Sequence, residues 1–192
     1  MRRRIICSMV GDAMVGKSSL LTVFLDQNTI DVYAPTVFAS IKGLMTVGGK
    51  EVKVKFVDTA GQQEYSRLRV LSYKKSDVCI LCFSVIDRNS FERIRTLWIP
   101  ELERTVGKRV PIVLVATHID LKEDKYVKKC ISIVSTSEGQ KLADDINAKG
   151  YFETACTTGD SFAAREIFEC AIAAVVSGRK GYLRTLKGIF IK

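Results

Sequence analysis

Short apolar runs alternate with amphipathic stretches along this chain, and the alternation predicts strands interleaved with helices. Ile5–Val10 is a continuous apolar run that reads as a buried strand. A glycine-bearing turn follows it, then a helix from near Lys17, where Leu20, Leu21, Phe24 and Leu25 recur at helical spacing. A polar, irregular stretch from Gln27 to Ser40 leads into a hairpin made of Ile41–Val47, the turn Gly48-Gly49, and Glu51–Val57. The second arm alternates strictly: Val52, Val54 and Phe56 share one face and Glu51, Lys53 and Lys55 the other, so it is covered on one side only. Val78–Val85 and Pro111–Ala116 are unbroken apolar runs, expected as central parallel strands. Helical patterns cover Ser90–Val106, with Asn89 or Ser90 as cap, Gly139–Ala148, and Ser161–Val176. The last places Phe162, Ile167, Phe168, Ala171 and Val175 on one stripe, with Gly178 as a stop. Strands and helices in this order predict a sheet wrapped by crossover helices, with no internal repeat or linker.

Composition narrows the class. With 192 residues and 47% apolar content, the chain suits one domain with one core. No run approaches the roughly 18 apolar residues of a membrane helix, and Met1-Arg2-Arg3-Arg4 runs into a strand too soon for a signal peptide. The expected location is cytoplasmic. Six cysteines, Cys7, Cys79, Cys82, Cys130, Cys156 and Cys170, are scattered through strands and helices rather than spaced as a disulfide framework. Cys79 and Cys82 form a CxxC, but in a strand residues three apart point to opposite faces, so buried free thiols are expected. The net charge is +9, with its excess at the two ends, and no aromatic-basic RNA motif accompanies it. No nucleic-acid role is expected.

The chemistry is concentrated after the first strand. Gly11-Asp12-Ala13-Met14-Val15-Gly16-Lys17-Ser18 fits the phosphate-loop pattern GxxxxGK[ST], in the strand–turn–helix context that pattern requires. Unpaired backbone N–H groups and the positive helix end then converge on one point, which suits a polyphosphate. Gly16 permits close approach of the backbone, Lys17 puts an ammonium on the outer phosphates, and the Ser18 hydroxyl is placed for Mg²⁺. Asp58-Thr59-Ala60-Gly61-Gln62 ends the second hairpin arm. Asp58 there can hold Mg²⁺ through water, the Gly61 N–H can reach a γ-phosphate, and Gln62 is suited to orient an attacking water.

The chain resembles a small GTPase of the Ras superfamily and, within it, the Rho family, over roughly residues 4 to 177. The residues that carry the resemblance are Tyr33 through Phe38, Asp58 through Tyr65, Arg67-Leu68-Arg69, Leu71-Ser72-Tyr73, Cys82-Phe83-Ser84, Ser90-Phe91-Glu92, Trp98 through Glu101, and Asp120-Leu121. Lys122–Val134 is similar in place to the family's short insert helix. The resemblance implies an α/β, P-loop small GTPase fold: a mostly parallel six-stranded sheet with one antiparallel edge hairpin and helices on both faces. It divides the chain into a G domain, residues 1–178, and a basic tail, residues 179–192.

It also implies a site for GTP or GDP with Mg²⁺. Ala13, Met14, Val15, Gly16, Lys17, Ser18 and Ser19 would surround the phosphates. Thr36 would complete the Mg²⁺ coordination begun by Ser18 and sense the γ-phosphate, and Tyr33 would lid the nucleotide. Gln62, Lys17 and Thr36 are the implied catalytic residues. Base choice would rest on Thr117-His118-Ile119-Asp120 with Leu121, since a carboxylate accepts two hydrogen bonds from guanine N1 and N2 that adenine cannot offer. Thr154, Ala155 and Cys156 would supply the last loop, with the Ala155 N–H meeting guanine O6. Effectors, exchange factors and GTPase-activating proteins would bind through Gln27–Ile41 and Gly61–Tyr73.

Several residues depart from the family pattern. Ala13 stands where the family has glycine, and its methyl would project toward the γ-phosphate, into space needed by Gln62 and an incoming arginine finger. That finger is worth about 10³ to 10⁵ in rate. His118 replaces a lysine, and Thr29 an aromatic ring, both of which help retain the nucleotide. Ala39 and Ile41 replace an acid and an aromatic used by kinase-type effectors, and Val57 an aromatic before the DTAG segment. Two functions follow as expectations: a switch that hydrolyses GTP slowly and signals to cytoskeletal, polarity or membrane-traffic effectors, or a constitutively GTP-loaded binding module with fast exchange. The last residues, Ile189-Phe190-Ile191-Lys192, contain no prenylated cysteine. Tyr182, Leu183, Leu186, Ile189 and Phe190 gather on one helical side with Arg184 and Lys187 opposite, which suits an anionic membrane surface or packing back on the domain.

Overall fold

The computed structural model describes residues 4–26, 40–59, 61, 66–155 and 161–177. The order of elements is β1 (Ile5–Gly11), α1 (Lys17–Asp26), β2 (Ser40–Val47), β3 (Lys50–Asp58), α2 (Ser66–Tyr73), β4 (Val78–Ser84) and α3 (Arg88–Arg93). A π-helical stretch, Ile94–Trp98, carries α3 into α4 (Ile99–Thr105). Then come β5 (Ile112–Thr117), a 3₁₀ turn (Ile119–Glu123), α5 (Lys125–Cys130), α6 (Thr136–Asp145), β6 (Tyr151–Glu153) and α7 (Ser161–Ser177).

Six strands form one sheet in the order β2-β3-β1-β4-β5-β6. Only β2 and β3 pair antiparallel, so the expected edge hairpin on a parallel sheet is present. Its turn, Gly48-Gly49, has positive φ at both residues, 56° and 71°, which matches the right-handed twist of the strands it joins. β4 is buried at every position. β3 alternates as predicted, with Val54 and Phe56 at 0% exposure and Glu51 and Lys53 in solvent.

The core lies in two layers, one on each sheet face. Phe24 of α1, Phe56 of β3 and Phe168 of α7 stack on one side, with Phe24 and Phe168 centroids 4.2 Å apart. Trp98, Ile94, Leu102 and Leu142 pack against Cys79, Leu81 and Leu114 on the other. The CxxC is thereby split: Cys82 belongs to the first layer and Cys79 to the second. Burial pushes the Cys79 thiol up to about 12, which is the behaviour of an inert core residue.

Three expectations need correction. The cap of α3 is Asp87, whose carboxylate accepts from the Ser90 amide, so the helix begins before Asn89. α6 starts three residues ahead of Gly139, because Ser135 and Glu138 form a reciprocal capping box. Phe162 is 70% exposed, and Ala164 takes its place in the stripe with Ile167, Phe168 and Ala171, since 162 and 167 do not share a helical face.

Candidate functional site

β1 ends where its neighbours β3 and β4 also end, and in open α/β sheets ligands bind outside the carboxyl ends of the strands. There the chain turns from Gly11 into α1 through residues 12–16, with Met14 and Gly16 both at positive φ, 61° and 79°. Such a turn points successive backbone N–H groups inward as an anion nest at the helix start. Lys17, 6% exposed, folds its ammonium back onto the Asp12 carbonyl. Burial lowers its proton affinity, opposed by nearby groups that include Asp58 and Asp12.

The Ser18 hydroxyl donates to Asp58 Oδ2. Asp58 Oδ1, buried beside it, has no hydrogen-bond partner. Unpaired buried carboxylate oxygens are costly, so this atom marks a place built for a missing donor or cation. Among the described residues no group of three or more His, Cys, Asp or Glu could cage a metal by itself. A hydroxyl and one carboxylate, with phosphate and water supplying the rest, are instead the donor set that suits Mg²⁺. Gly61 presses on the same loop. A Cβ there would lie 2.2 Å from the Ala13 nitrogen and 2.2 Å from the Asp12 carbonyl carbon, so no other residue fits without moving one of the two segments.

At the other end of the site, Thr117 closes β5 with its Oγ1 2.9 Å from the Val15 carbonyl and 3.0 Å from the Phe83 carbonyl. This ties the strand tip to the phosphate loop. His118 is left-handed, φ 58°, with Nδ1 2.9 Å from Ser84 Oγ and Cε1 3.6 Å from the position of a Cβ on Gly16. Asp120 then emerges exposed on the 3₁₀ turn, and the Thr154 amide bonds to Ala116, placing Thr154 and Ala155 beside it. Lys122 spans this corner to Glu153 at 2.8 Å, where Tyr151 also donates. Burial pulls Glu153 upward, but the bonds from Lys122, Tyr151 and Thr136 outweigh it and hold the carboxylate below its usual value.

Residues 6–177 match the Ras family. The chain belongs to that family. It is therefore a small GTP-binding switch in general character, and Ras-family domains bind GTP and GDP with Mg²⁺ and hydrolyse GTP. Among the described residues no helix is long and apolar enough to cross a membrane.

Of the residues expected at the site of this Ras-family member, Ala13–Ser19, Asp58, Gly61, Thr117, His118, Asp120, Leu121, Thr154 and Ala155 lie at or just beyond the carboxyl ends of β1, β3, β5 and β6. Tyr33, Thr36, Gln62 and Cys156 lie outside the described residues, as do Thr29, Ala39 and the tail. A cavity of about 450 Å³ at the opposite end, lined by Cys79, Leu102, Val106, Arg109 and Ile112, sits at the amino ends of β4 and β5. It is remote from the phosphate loop.

Sequence reasoning gave no role to Asp12, yet it is the hub of a buried network. Trp98 Nε1 donates to Asp12 Oδ1 at 2.7 Å, and Arg93 approaches Oδ2 at 3.4 Å. The Arg69 guanidinium stacks 4.4 Å from the Trp98 ring centroid and bonds both oxygens of Glu101, which also accepts from Tyr73. The available signal was the occurrence of Arg69, Tyr73, Trp98 and Glu101 together in the quoted signatures.

Proposed function

We propose that this Ras-family member is a Rho-like, Mg²⁺-dependent GTP switch. The observation that carries the reading is the Ser18–Asp58 pair with its unpartnered Asp58 Oδ1, set in front of the helix α1 nest and the buried Lys17. In this reading Ser18 and Thr36 hold the ion and Asp58 holds its water, while the ion when bound neutralises charge on the outer phosphates. Lys17 and the loop amides of residues 13–19 bind the phosphates. Asp120, Leu121, Thr117, His118, Thr154, Ala155 and Cys156 frame the base, Tyr33 lids the nucleotide, and Gln62 orients the attacking water. Support for the Rho-like assignment comes from the convergence of Arg69, Tyr73, Trp98 and Glu101 in one buried cluster.

A second reading, a hydrolysis-poor module that stays GTP-loaded, is favoured by one observation. Gly61 packs directly on the Asp12–Ala13 peptide, so the exposed methyl of Ala13 is carried by the same peptide that the DTAG segment approaches. Effector, exchange-factor and activating-protein contacts through Gln27–Ile41 and Gly61–Tyr73, and a membrane-facing tail over 179–192, belong to the same proposal. Calorimetry with Mg²⁺ and GTP, GDP or ATP tests it: tight guanine binding with no ATP heat is expected, and equal affinity for ATP overturns it. The nucleotide extracted from purified protein then separates the two readings, GDP for a cycling switch and GTP for a loaded module.

A further inference from the structure

The outward face of the hairpin carries an unneutralised basic ladder. Register sets Lys42 directly opposite Lys55 and Leu44 directly opposite Lys53. Alternation places these four side chains together on the face turned away from the core. Lys42 and Lys53 are exposed, Lys55 is half-buried, and Leu44 between them is 57% exposed. Among the described residues no acidic group forms an ion pair with any of the three lysines. The only acid on these rows is Glu51, one row further toward the turn and opposite Thr46.

Like charges placed directly opposite on a sheet face are unfavourable. Protection of an open sheet edge accounts for a lysine on β2, the edge strand. It does not account for Lys53 and Lys55, because β3 is paired on both sides, by β2 and by β1. A face that served solubility alone would intersperse both signs. This one repeats a single sign around an exposed leucine.

We propose that this face docks an acidic segment of a partner protein, whose carboxylates meet Lys42, Lys53 and Lys55 and whose apolar side chain covers Leu44. Charge complementarity selects the occupant. The cations lie in two adjacent strands, about 5 Å apart across the pair and about 7 Å from row to row, a narrow ladder on the scale of one peptide segment. An anionic bilayer rewards a broad basic field, and this one is narrow, bounded toward the turn by Glu51. The inference is independent of which nucleotide the chain binds.

The test is selection from a displayed random dodecapeptide library against the full chain, and in parallel against Lys42→Glu/Lys53→Glu/Lys55→Glu. Acidic peptides containing an apolar residue are expected to be enriched on the native chain only, with affinity falling about tenfold on charge reversal and again at high salt. Leu44→Thr should weaken the same peptides about threefold without changing their salt dependence. Melting temperature and bound nucleotide check that each variant is folded, and Lys53→Gln, a milder change, replaces the triple variant if it is not. Enrichment without acidic bias, equal binding by the variants, or retention on phosphatidylserine vesicles with no peptide selected would overturn the proposal.

Discussion

Trp98 and Asp12, separated by 86 positions in the chain, are joined by an indole N–H donated to a buried carboxylate at 2.7 Å. The bond crosses from the π-helical stretch to the second residue of the phosphate loop, and a face of the same ring holds Arg69 of α2. One aromatic side chain thus touches both the turn between β1 and α1 and the helix that follows the DTAG segment. Trp98→Phe keeps a ring for Arg69 but leaves the Asp12 carboxylate short of a donor inside the protein. Loss of about 1–3 kcal/mol is expected from an unsatisfied buried acceptor. Thermal melting should register it, and release of a fluorescent GDP analogue should accelerate, because the loop loses one of its anchors. Unchanged release with a lowered melting point would leave Trp98 a core residue only.

The Arg69–Glu101 pair is buried at 2% and 8% side-chain exposure, with Tyr73 as a third member. Removing one partner strands a charge, whereas removing both does not. Glu101→Gln should therefore cost about 3 kcal/mol, and Arg69→Met combined with Glu101→Leu should recover much of it. Denaturant unfolding of the single and double variants gives the comparison. Equal destabilisation by both would show that packing rather than charge sets the cost.

How far such relationships were legible in the sequence depends on their range. The β1–turn–α1 unit was readable because glycine, lysine and serine act within a few residues of one another, and the hairpin because period-two alternation on β3 shows directly which side is covered. Asp12 and Trp98 were not, since a tertiary hydrogen bond leaves no periodic trace in either segment. The start of α6 was missed for a different reason: the capping box at Ser135 and Glu138 lies upstream of the helix's own apolar residues, which begin at Leu142, so pattern reading began the helix at Gly139. β6, only three residues long, is defined by pairing with β5 rather than by its own composition.

Acid sensitivity should appear between α3 and α6. Arg88, with help from the Ser135 hydroxyl and amide, holds Glu138 down to about 2, against an ordinary 4.5. The folded-state value is depressed, so the stabilisation is fully present above about pH 4.5 and is lost as pH falls toward 2. Both side chains are partly in solvent, which limits the effect to about 1 kcal/mol or less. Glu138→Gln keeps a capping-box residue while removing the charge. Its melting point should lie below that of the native chain near neutral pH and converge with it near pH 2, and a constant gap at every pH would contradict the assignment.

Gly61→Ala tests the contact between the DTAG segment and the phosphate loop. A Cβ 2.2 Å from the Ala13 nitrogen cannot be accommodated, and the obstruction is backbone rather than a side chain that could swing away. The segment carrying Gly61 and Gln62 must withdraw, while Asp120 and Thr154 at the base end are untouched. GTP hydrolysis in single turnover is expected to fall at least about tenfold, equivalent to about 1.4 kcal/mol of barrier, with guanine affinity within about threefold of the native chain.

Ala13→Gly probes the same space from the other side. Ala13→Gly removes the exposed methyl carried by the peptide on which Gly61 packs, on the side where Gln62 and an arginine finger are proposed to work. Hydrolysis should rise if crowding is what slows it, and the rise should be larger with an activating protein present, because the finger contributes about 10³ to 10⁵ where it reaches the phosphate. The departure at His118 predicts a separate outcome. His118→Lys should slow nucleotide release without altering the hydrolysis step, since His118 contacts Ser84 and the Gly16 end of the loop rather than Gly61. Single-turnover hydrolysis and dissociation of a fluorescent GDP analogue, measured on both variants and their combination, separate the two effects. If Ala13→Gly left stimulated hydrolysis unchanged, the methyl at position 13 would not limit hydrolysis, and the hydrolysis-poor reading would lose its support.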